Sequence, residues 1–210
     1  MQTIAAISTP PGKGGIAVIR VSGERAIAVA DGVFRAKSGK KLREIRPRTA
    51  VFGEICDPRT GETIDSGVCV AYFAPHSYTG EDTVELSCHG GTLVTTTVLS
   101  ACFAAGAVQA GPGEFTKRAF LSGKLSLTEA EAVGLLIDAD TEEKRRLSSS
   151  VVRGVTTRVI ERLDEGLFSV MTALYAAIDY PEEDVGDEGE RTIRGVVAET
   201  LSGVERLLAT

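Results

Sequence analysis

The hydrophobic pattern of this chain changes at Gly111-Pro112-Gly113, and no other feature limits its fold more. Before that point, apolar runs of strand length alternate with turn sequences and with helix-length runs. After it, apolar residues recur almost throughout at the spacing of amphipathic helices. The sequence therefore predicts an α+β protein, with a mixed α/β domain over residues 1–118 and an all-α segment over residues 119–210. The two parts also differ in charge. Residues 1–118 carry 13 Lys and Arg and 11 Asp and Glu, whereas residues 119–210 carry 10 Lys and Arg and 18 Asp and Glu.

The first part is expected to contain five strands and two helices. The predicted strands are Thr3–Ser8, Ile16–Val21, Ala50–Cys56, Gly67–Phe73 and Thr83–Cys88. Helical spacing predicts helices over Glu24–Phe34 and over about Thr92–Ala105.

The second part is expected to be helical throughout. The predicted helices are Glu114–Leu121, Ser126–Asp138, one long helix from about Thr141 to Ala177, and Ile193–Leu208. A helix as long as the third cannot bury its apolar stripe alone, so we expect a bundle. The acidic residues of 181–184 and 187–190 are predicted to form a turn between the last two helices.

The composition excludes several classes of protein. The apolar runs are far shorter than the roughly 20 residues of a membrane-spanning helix, and the first residues lack a secretory signal, so we expect a cytoplasmic protein without membrane contact. Two histidines are too few for a multi-histidine metal centre. The four cysteines contain no C-x-x-C pair and are expected to be reduced core thiols. We therefore predict no metal site.

A loop rich in proline and glycine, Pro10–Gly15, separates the first two predicted strands. It is not a Walker A phosphate loop, because a glycine follows Lys13 where Ser or Thr is required. The loop is either a flexible connection or a backbone shaped by Gly12, Gly14 and Gly15 for close approach of a ligand or a second subunit. Nucleotide hydrolysis within these residues is not expected, and no catalytic residue is assigned.

Three charged side chains stand where chemistry is plausible. Arg20, inside an apolar strand, is either a solvent-facing residue of an edge strand or a buried clamp for an anion. Strand alternation places Glu85 opposite its apolar neighbours, and if both sheet faces are covered it needs a cation or a pair of adjacent N–H donors, such as a pyrimidine-type edge. Lys124, between two short helices, is either solvated or part of an anion site.

Two further segments have alternative interpretations. The run Arg35–Arg48 holds seven cations and one acid, and is either a mobile solvated loop or a contact for RNA. His89, at a junction between strand and helix, is either a turn or cap residue or a catalytic histidine.

Several segments, in order along about 180 of the 210 residues, closely resemble the tRNA-modification GTPase family MnmE, also called TrmE. They are Ser8–Gly23, Tyr78–Leu86, His89–Gly91, Pro112–Leu121, Lys124–Leu125, Leu127–Ala132 and Ala177–Glu183. The resemblance implies a domain like the tetrahydrofolate-binding fold of glycine-cleavage T-proteins, followed by the first part of a helical domain. It further implies that this chain is the N-terminal fragment, and that GTP hydrolysis, with its potassium and magnesium, belongs to a G domain inserted after it.

The resemblance also implies a ligand and partners. Arg20, Glu85 and Lys124 match the family's folate-contacting positions, with loop contacts from Gly12, Gly14 and Gly15. The expected cofactor is a reduced folate, 5-formyl- or 5,10-methylene-tetrahydrofolate, which supplies the methylene carbon added at C5 of the wobble uridine in certain tRNAs. The expected partners are a second copy of the N-terminal domain, the flavin-dependent protein MnmG (GidA), and tRNA.

Two rival functions remain open at the level of sequence. A stand-alone folate-dependent one-carbon transferase of the T-protein type requires further folate-domain sequence after residue 118, where helices are predicted instead. A non-enzymatic dimerisation scaffold requires that the folate pocket is lost, which the presence of Arg20, Glu85 and Lys124 disfavours.

Overall fold

The computed structural model describes residues 1–179 and 186–208. These residues belong to two compact units, Met1–Ala130 and Glu131–Thr210. The first unit holds a mixed sheet with helices and the second is helical. This arrangement confirms the predicted α+β fold class.

The first unit is built on a seven-stranded sheet. Its strands are β1 (Ile4–Ile7), β2 (Gly14–Ser22), β3 (Phe34–Ala36), β4 (Val51–Cys56), β5 (Thr63–Tyr72), β6 (Thr83–Gly90) and β7 (Val108–Gln109). The spatial order is β3-β4-β5-β6-β2-β1-β7, and all neighbours are antiparallel except the parallel pair β1 and β7. The five predicted strands are confirmed, although β5 begins at Thr63. The very short strands β3 and β7 carry no periodic signal and were not predicted.

Helices cover one face of this sheet. They are α1 (Ala26–Val33) and α2 (Thr92–Ala104). Side chains such as Ile19, Val21 and Leu86 are fully buried in the core that α1 and α2 share with the sheet. Because successive strand residues point to opposite faces, Arg20 and Glu85 lie on the other face of the two central strands β2 and β6.

Two shorter helices follow the last strand, α3 (Glu114–Leu121) and α4 (Leu127–Ile137). Both match the predicted helices closely. Ser126 caps the start of α4 reciprocally: its hydroxyl accepts a hydrogen bond from the Glu129 backbone N–H, and its own N–H donates to the Glu129 carboxylate. The predicted domain boundary at residue 118 falls inside α3. That helix is part of the first unit because Arg118, which is buried, forms an ion pair with Glu81 of the loop before β6.

The second unit contains α5 (Glu142–Val152), α6 (Val155–Asp179) and α7 (Gly186–Leu208). The prediction of one continuous helix from Thr141 to Ala177 is wrong. Gly154, with φ +66°, takes the left-handed conformation that ends α5 and separates it from α6. The apolar spacing continues across this break, which is why the pattern alone suggested one helix.

The last helix is longer than predicted and packs closely on α6. It begins at Gly186, so residues 187–190, predicted as part of an acidic turn, are helical, whereas the predicted turn residues 181–184 lie outside the described residues. A Cβ added at Gly203 of α7 would lie 2.6 Å from Leu163 Cδ2 of α6. The glycine therefore permits this close helix approach.

The described residues include no helix that is both long and apolar enough to cross a membrane. They also contain no group of three or more His, Cys, Asp or Glu side chains placed to hold a metal ion. The four cysteines are free and buried, which confirms their prediction as core thiols. Burial raises the pKa of the Cys69 and Cys102 thiols to about 12.

Candidate functional site

An ion pair on the open face of the sheet is the centre of the candidate site. Arg20 of β2 and Glu85 of β6 are paired in the register of the two strands. The Arg20 Nε and Nη2 groups donate to Glu85 Oε1 at 3.0 and 2.8 Å. The side chains are 24% and 26% exposed, so the pair is accessible from one side. The interpretation of Arg20 as an edge-strand residue is wrong, because β2 lies between β6 and β1.

The second oxygen of Glu85 retains acceptor capacity. Among the described residues, Glu85 Oε2 receives only a long hydrogen bond from the Tyr72 hydroxyl, at 3.4 Å. Since a carboxylate can accept about four hydrogen bonds, a ligand with N–H donors can still bind it. Burial, and after it the neighbouring Glu85, raise the pKa of Tyr72, so the phenol stays protonated and able to donate.

Two aromatic rings enclose the guanidinium of Arg20. The Arg20 Cζ lies 5.2 Å from the centre of the Tyr78 ring and 5.5 Å from that of Phe115. Such contacts stabilise a cation by about 0.5–2 kcal/mol each. The Tyr78 hydroxyl is 2.9 Å from Thr116 Oγ1, which joins the loop before β6 to α3. The site therefore combines a charged pair with flat apolar surfaces.

A buried polar network holds the two elements that carry these rings. Arg118 of α3, only 6% exposed, donates from Nη1 to both Glu81 carboxylate oxygens at 3.1 and 3.2 Å. Its Nη2 donates to Glu114 Oε1 at 2.8 Å. The Ser22 hydroxyl donates to Glu81 Oε2 at 2.9 Å and is 2.7 Å from Thr79 Oγ1. The loop before β6, helix α3 and the end of β2 are thereby fixed to one another.

The charges of this network are mutually stabilised. Burial opposes the charge of Arg118, but its hydrogen bonds to Glu114 and Glu81 outweigh that effect and raise its pKa. The backbone N–H of Gly111 and the side chain of Arg118 lower the pKa of Glu114. Both shifts favour the charged forms of Arg118 and Glu114.

Lys124 contacts the same loop from another side. Its Nζ donates to the carbonyl oxygen of Pro75 at 3.2 Å. Its Cγ lies 3.4 Å from the position of a Cβ added at Gly80, which has φ +79°. The side chain is exposed and takes part in no ion pair among the described residues, so its ammonium can serve an anion.

The glycines of the loop 10–15 lie at a different place. Gly12 and Gly14 line a cavity of about 610 Å³, together with Lys13, Ile16 and residues at the start of α2. Arg20, Glu85, Lys124 and Gly15 are not among the residues that line it. The structure thus brings Arg20 to Glu85 and Lys124 to the adjoining loop, and does not place the glycines beside them.

His89 is neither a helix cap nor part of this site. Its Nδ1 is 2.8 Å from Asp65 Oδ1, and its backbone N–H donates to Asp65 Oδ2 at 2.8 Å. Burial of Asp65 opposes ionisation, but the hydrogen bonds from His89 outweigh it and lower the pKa of Asp65. The imidazole is largely exposed, and the contact with Asp65 orients it at the end of β6.

Residues that shape the site without a predicted role are Tyr72, Tyr78, Glu81, Phe115 and Arg118. The alternation of β5 could have placed Tyr72 on the same face as Glu85. The other four lie on a loop and a short helix, where no periodic pattern reports a contact with the sheet.

The fold and the site define a class of protein in two parts: an α/β domain with an accessible ion pair, joined to a helical domain. Comparison with known families agrees with both parts. Residues 3–124 match the family described as GTP-binding protein TrmE N-terminus, and residues 127–210 match the MnmE helical domain. The chain belongs to the MnmE family, as its motifs predicted.

Curated relatives match along the whole chain. It is 45% identical over 211 residues to the tRNA modification GTPase MnmE of Moorella thermoacetica, covering 100% of this chain and 45% of the relative. It is 47% identical over 207 residues to that of Thermus thermophilus, covering 98% and 46%, and 40% identical over 210 residues to that of Geobacillus kaustophilus, covering 100% and 46%. The chain therefore spans about half the length of these relatives.

Proposed function

We propose that this chain is the folate-binding and dimerising part of an MnmE-type tRNA modification GTPase. The whole protein acts in the cytoplasm with a flavin-dependent MnmG partner. Together they modify C5 of the wobble uridine in certain tRNAs. GTP hydrolysis, with potassium and magnesium, is the task of a G domain outside these 210 residues. A bound reduced folate supplies the one-carbon unit, and the residues of this chain bind and orient it.

The observation that carries the proposal is the partly exposed carboxylate of Glu85, which Arg20 holds in place and which can still accept hydrogen bonds. A reduced pterin presents a ring N–H beside an amino group, and a carboxylate receives that pair of donors bidentately. In the part of the chain that the structure describes, Glu85 Oε2 accepts only the 3.4 Å hydrogen bond from Tyr72, so one side of the carboxylate can receive a ligand. Arg20 holds the other oxygen in place, which fixes the direction of that side.

The surroundings of Glu85 fit the rest of a folate. Tyr78 and Phe115 provide aromatic surface beside the ion pair, suited to a flat heterocycle. Lys124, between α3 and α4, contacts the loop that carries Tyr78 and offers an exposed ammonium for a carboxylate of the glutamate tail.

Dimerisation is supported by exposed apolar side chains away from the ion pair. Ile16, which lines the cavity beside Gly12 and Gly14, is exposed, and so is Leu93 at the start of α2. Covering such side chains with a second copy removes apolar surface from water, at roughly 25 cal/mol per Å². We expect Ile16→Glu to shift the chain from dimer to monomer in light-scattering chromatography, while Leu121→Glu, a matched change of an exposed apolar residue, leaves the dimer intact.

The test is calorimetric titration of 5-formyl-tetrahydrofolate into the 210-residue chain. We expect saturable binding, weakened about 10-fold or more by Glu85→Gln, because hydrogen bonds to a charged group contribute about 1.5–3 kcal/mol. The matched control is Glu54→Gln, which removes an exposed carboxylate from β4 of the same sheet and should bind folate as the unchanged chain does. Equal affinities for both variants would refute the assignment of Glu85. A folded, dimeric chain that binds no folate would support the scaffold function instead.

A further inference from the structure

A strongly basic segment, residues 35–48, begins within β3, ends before β4 and has no part in the folate site. It holds seven cations and one acid, in a chain whose net charge is −6. Arg43 forms an ion pair with Asp82. The other six cations are exposed and make no ion pair with any residue that the structure describes: Arg35, Lys37, Lys40, Lys41, Arg46 and Arg48.

The basic segment is tied to the fold rather than free of it. Leu42 is buried in the core, and its backbone N–H donates to Asp31 Oδ1 at 3.0 Å. The backbone N–H groups of Lys37 and Arg48 donate to carbonyl oxygens of β4 and β5 at 3.0 and 2.8 Å. The cations are therefore presented from a fixed backbone, which reduces the entropy lost when they bind a partner.

An exposed aromatic ring stands within this positive surface. Phe52 of β4 is 55% exposed. It lines a depression of about 500 Å³ together with Lys40, Arg46, Ser38 and Thr49. Cations and hydroxyl groups around an exposed ring are the combination that binds phosphates and stacks a base. Glu44 also lines this depression, and its Oε2 accepts the backbone N–H of Lys41. Its single negative charge still leaves the segment strongly positive, with seven cations against one acid.

We propose that the basic segment and Phe52 form an RNA-binding surface, in which the cations contact phosphates and Phe52 stacks on an unpaired base. An acidic polypeptide would satisfy the cations but gives no reason for the exposed ring, so RNA is the favoured partner. The choice of tRNA as the probe rests on the proposed function, but the surface itself does not depend on folate.

The experiment measures binding of an unmodified tRNA transcript to the full 210-residue chain by fluorescence anisotropy at several salt concentrations. Lys40→Gln combined with Arg46→Gln removes two cations beside Phe52. At 0.15 M salt, each lost phosphate contact should weaken binding about 5-fold and reduce the salt slope by about 0.9. The matched control, Arg25→Gln combined with Lys117→Gln, removes two exposed cations elsewhere in the first unit. Phe52→Ala should weaken binding to single-stranded RNA by about 5-fold or more at an unchanged salt slope.

The outcomes separate this proposal from the folate site. The RNA surface is supported if only the double variant of Lys40 and Arg46 binds tRNA more weakly and with a reduced salt slope, while its folate affinity is unchanged. This holds even if Glu85→Gln shows that folate binds elsewhere. Equal affinities and slopes for the two double variants, with both folded by circular dichroism, overturn it. The proposal is also overturned if polyglutamate displaces the labelled tRNA as effectively as unlabelled RNA does and Phe52→Ala has no effect. That result would assign the surface to an acidic protein.

Discussion

Replacing Arg118 with alanine tests how the candidate site is held together. Arg118→Ala leaves two carboxylates, Glu81 and Glu114, without their shared cation. Removing one partner of a buried ion pair costs about 3–5 kcal/mol. The two carboxylates are 19% and 29% exposed, so water recovers part of this loss, and we expect about 2–3 kcal/mol. At about 2–4 °C per kcal/mol for a chain of this length, Tm should fall by about 8 °C.

The assay is thermal unfolding followed by circular dichroism at pH 7, with two comparison variants. Arg118→Lys keeps the charge but cannot reach both carboxylates with a planar fork, so its Tm should lie between those of the alanine variant and the unchanged chain. Arg146→Ala breaks an ion pair with Glu142 in which the arginine side chain is 76% exposed. Exposed pairs contribute little, so this control should leave Tm unchanged within error.

The same variant should also affect ligand binding. Arg118 fixes the loop and helix that carry Tyr78 and Phe115, so Arg118→Ala should weaken folate binding below the temperature at which it unfolds. A Tm for Arg118→Ala equal to that of Arg146→Ala would refute the reasoning about the buried network. A lowered Tm with unchanged folate affinity would show that the network stabilises the fold without positioning the rings.

Three further predictions follow from other contacts. In the folded chain the pKa of Glu114 is lowered from 4.5, so the stabilisation from its ionised form is present above that pH and is lost as the pH falls below it. The Tm difference between the unchanged chain and Glu114→Gln should therefore be largest near pH 7 and should shrink towards pH 3. A difference that stays constant with pH would contradict this. In Gly67→Ala the new Cβ would overlap the carbonyl oxygen of Ser87 on the neighbouring strand, so Tm should fall by several degrees. In Gly134→Ala the new Cβ meets no neighbouring atom within 4 Å and the backbone is helical, so Tm should rise slightly. All four thiols are buried, and burial raises the pKa of Cys69 to about 12. None of the four should therefore react rapidly with Ellman's reagent at pH 8 until urea unfolds the chain. Fast labelling of the native chain would contradict their placement in the core.

The fold was largely predictable because its elements carry strong local signals. Alternation and turn residues located the longer strands, and the helix Glu114–Leu121 was predicted with the observed ends. The break at Gly154 was missed, because the apolar spacing of α5 continues into α6 and a single glycine in a helical pattern is ambiguous. The two shortest strands exist through pairing with β4 and β1, which a local pattern does not report.

The candidate site was predictable only in part. Strand alternation predicted Glu85 on the face opposite its apolar neighbours and left Arg20 either exposed or buried. The contact between the two depends on the register of β2 with β6, set by residues far apart in sequence. The resemblance to the family singled out both residues and Lys124. It gave no reason to expect Glu81 and Arg118 as the network that holds the loop, because a buried ion pair between a loop and a helix leaves no periodic trace.

A crystal structure of the chain with 5-formyl-tetrahydrofolate tests the central claim most directly. We predict that the pterin N–H edge lies about 3 Å from the Glu85 carboxylate, with the Arg20–Glu85 ion pair retained and the Tyr78 ring beside the ligand. Folate density confined to the cavity lined by Gly12 and Gly14, with Glu85 free of the ligand, would contradict the account.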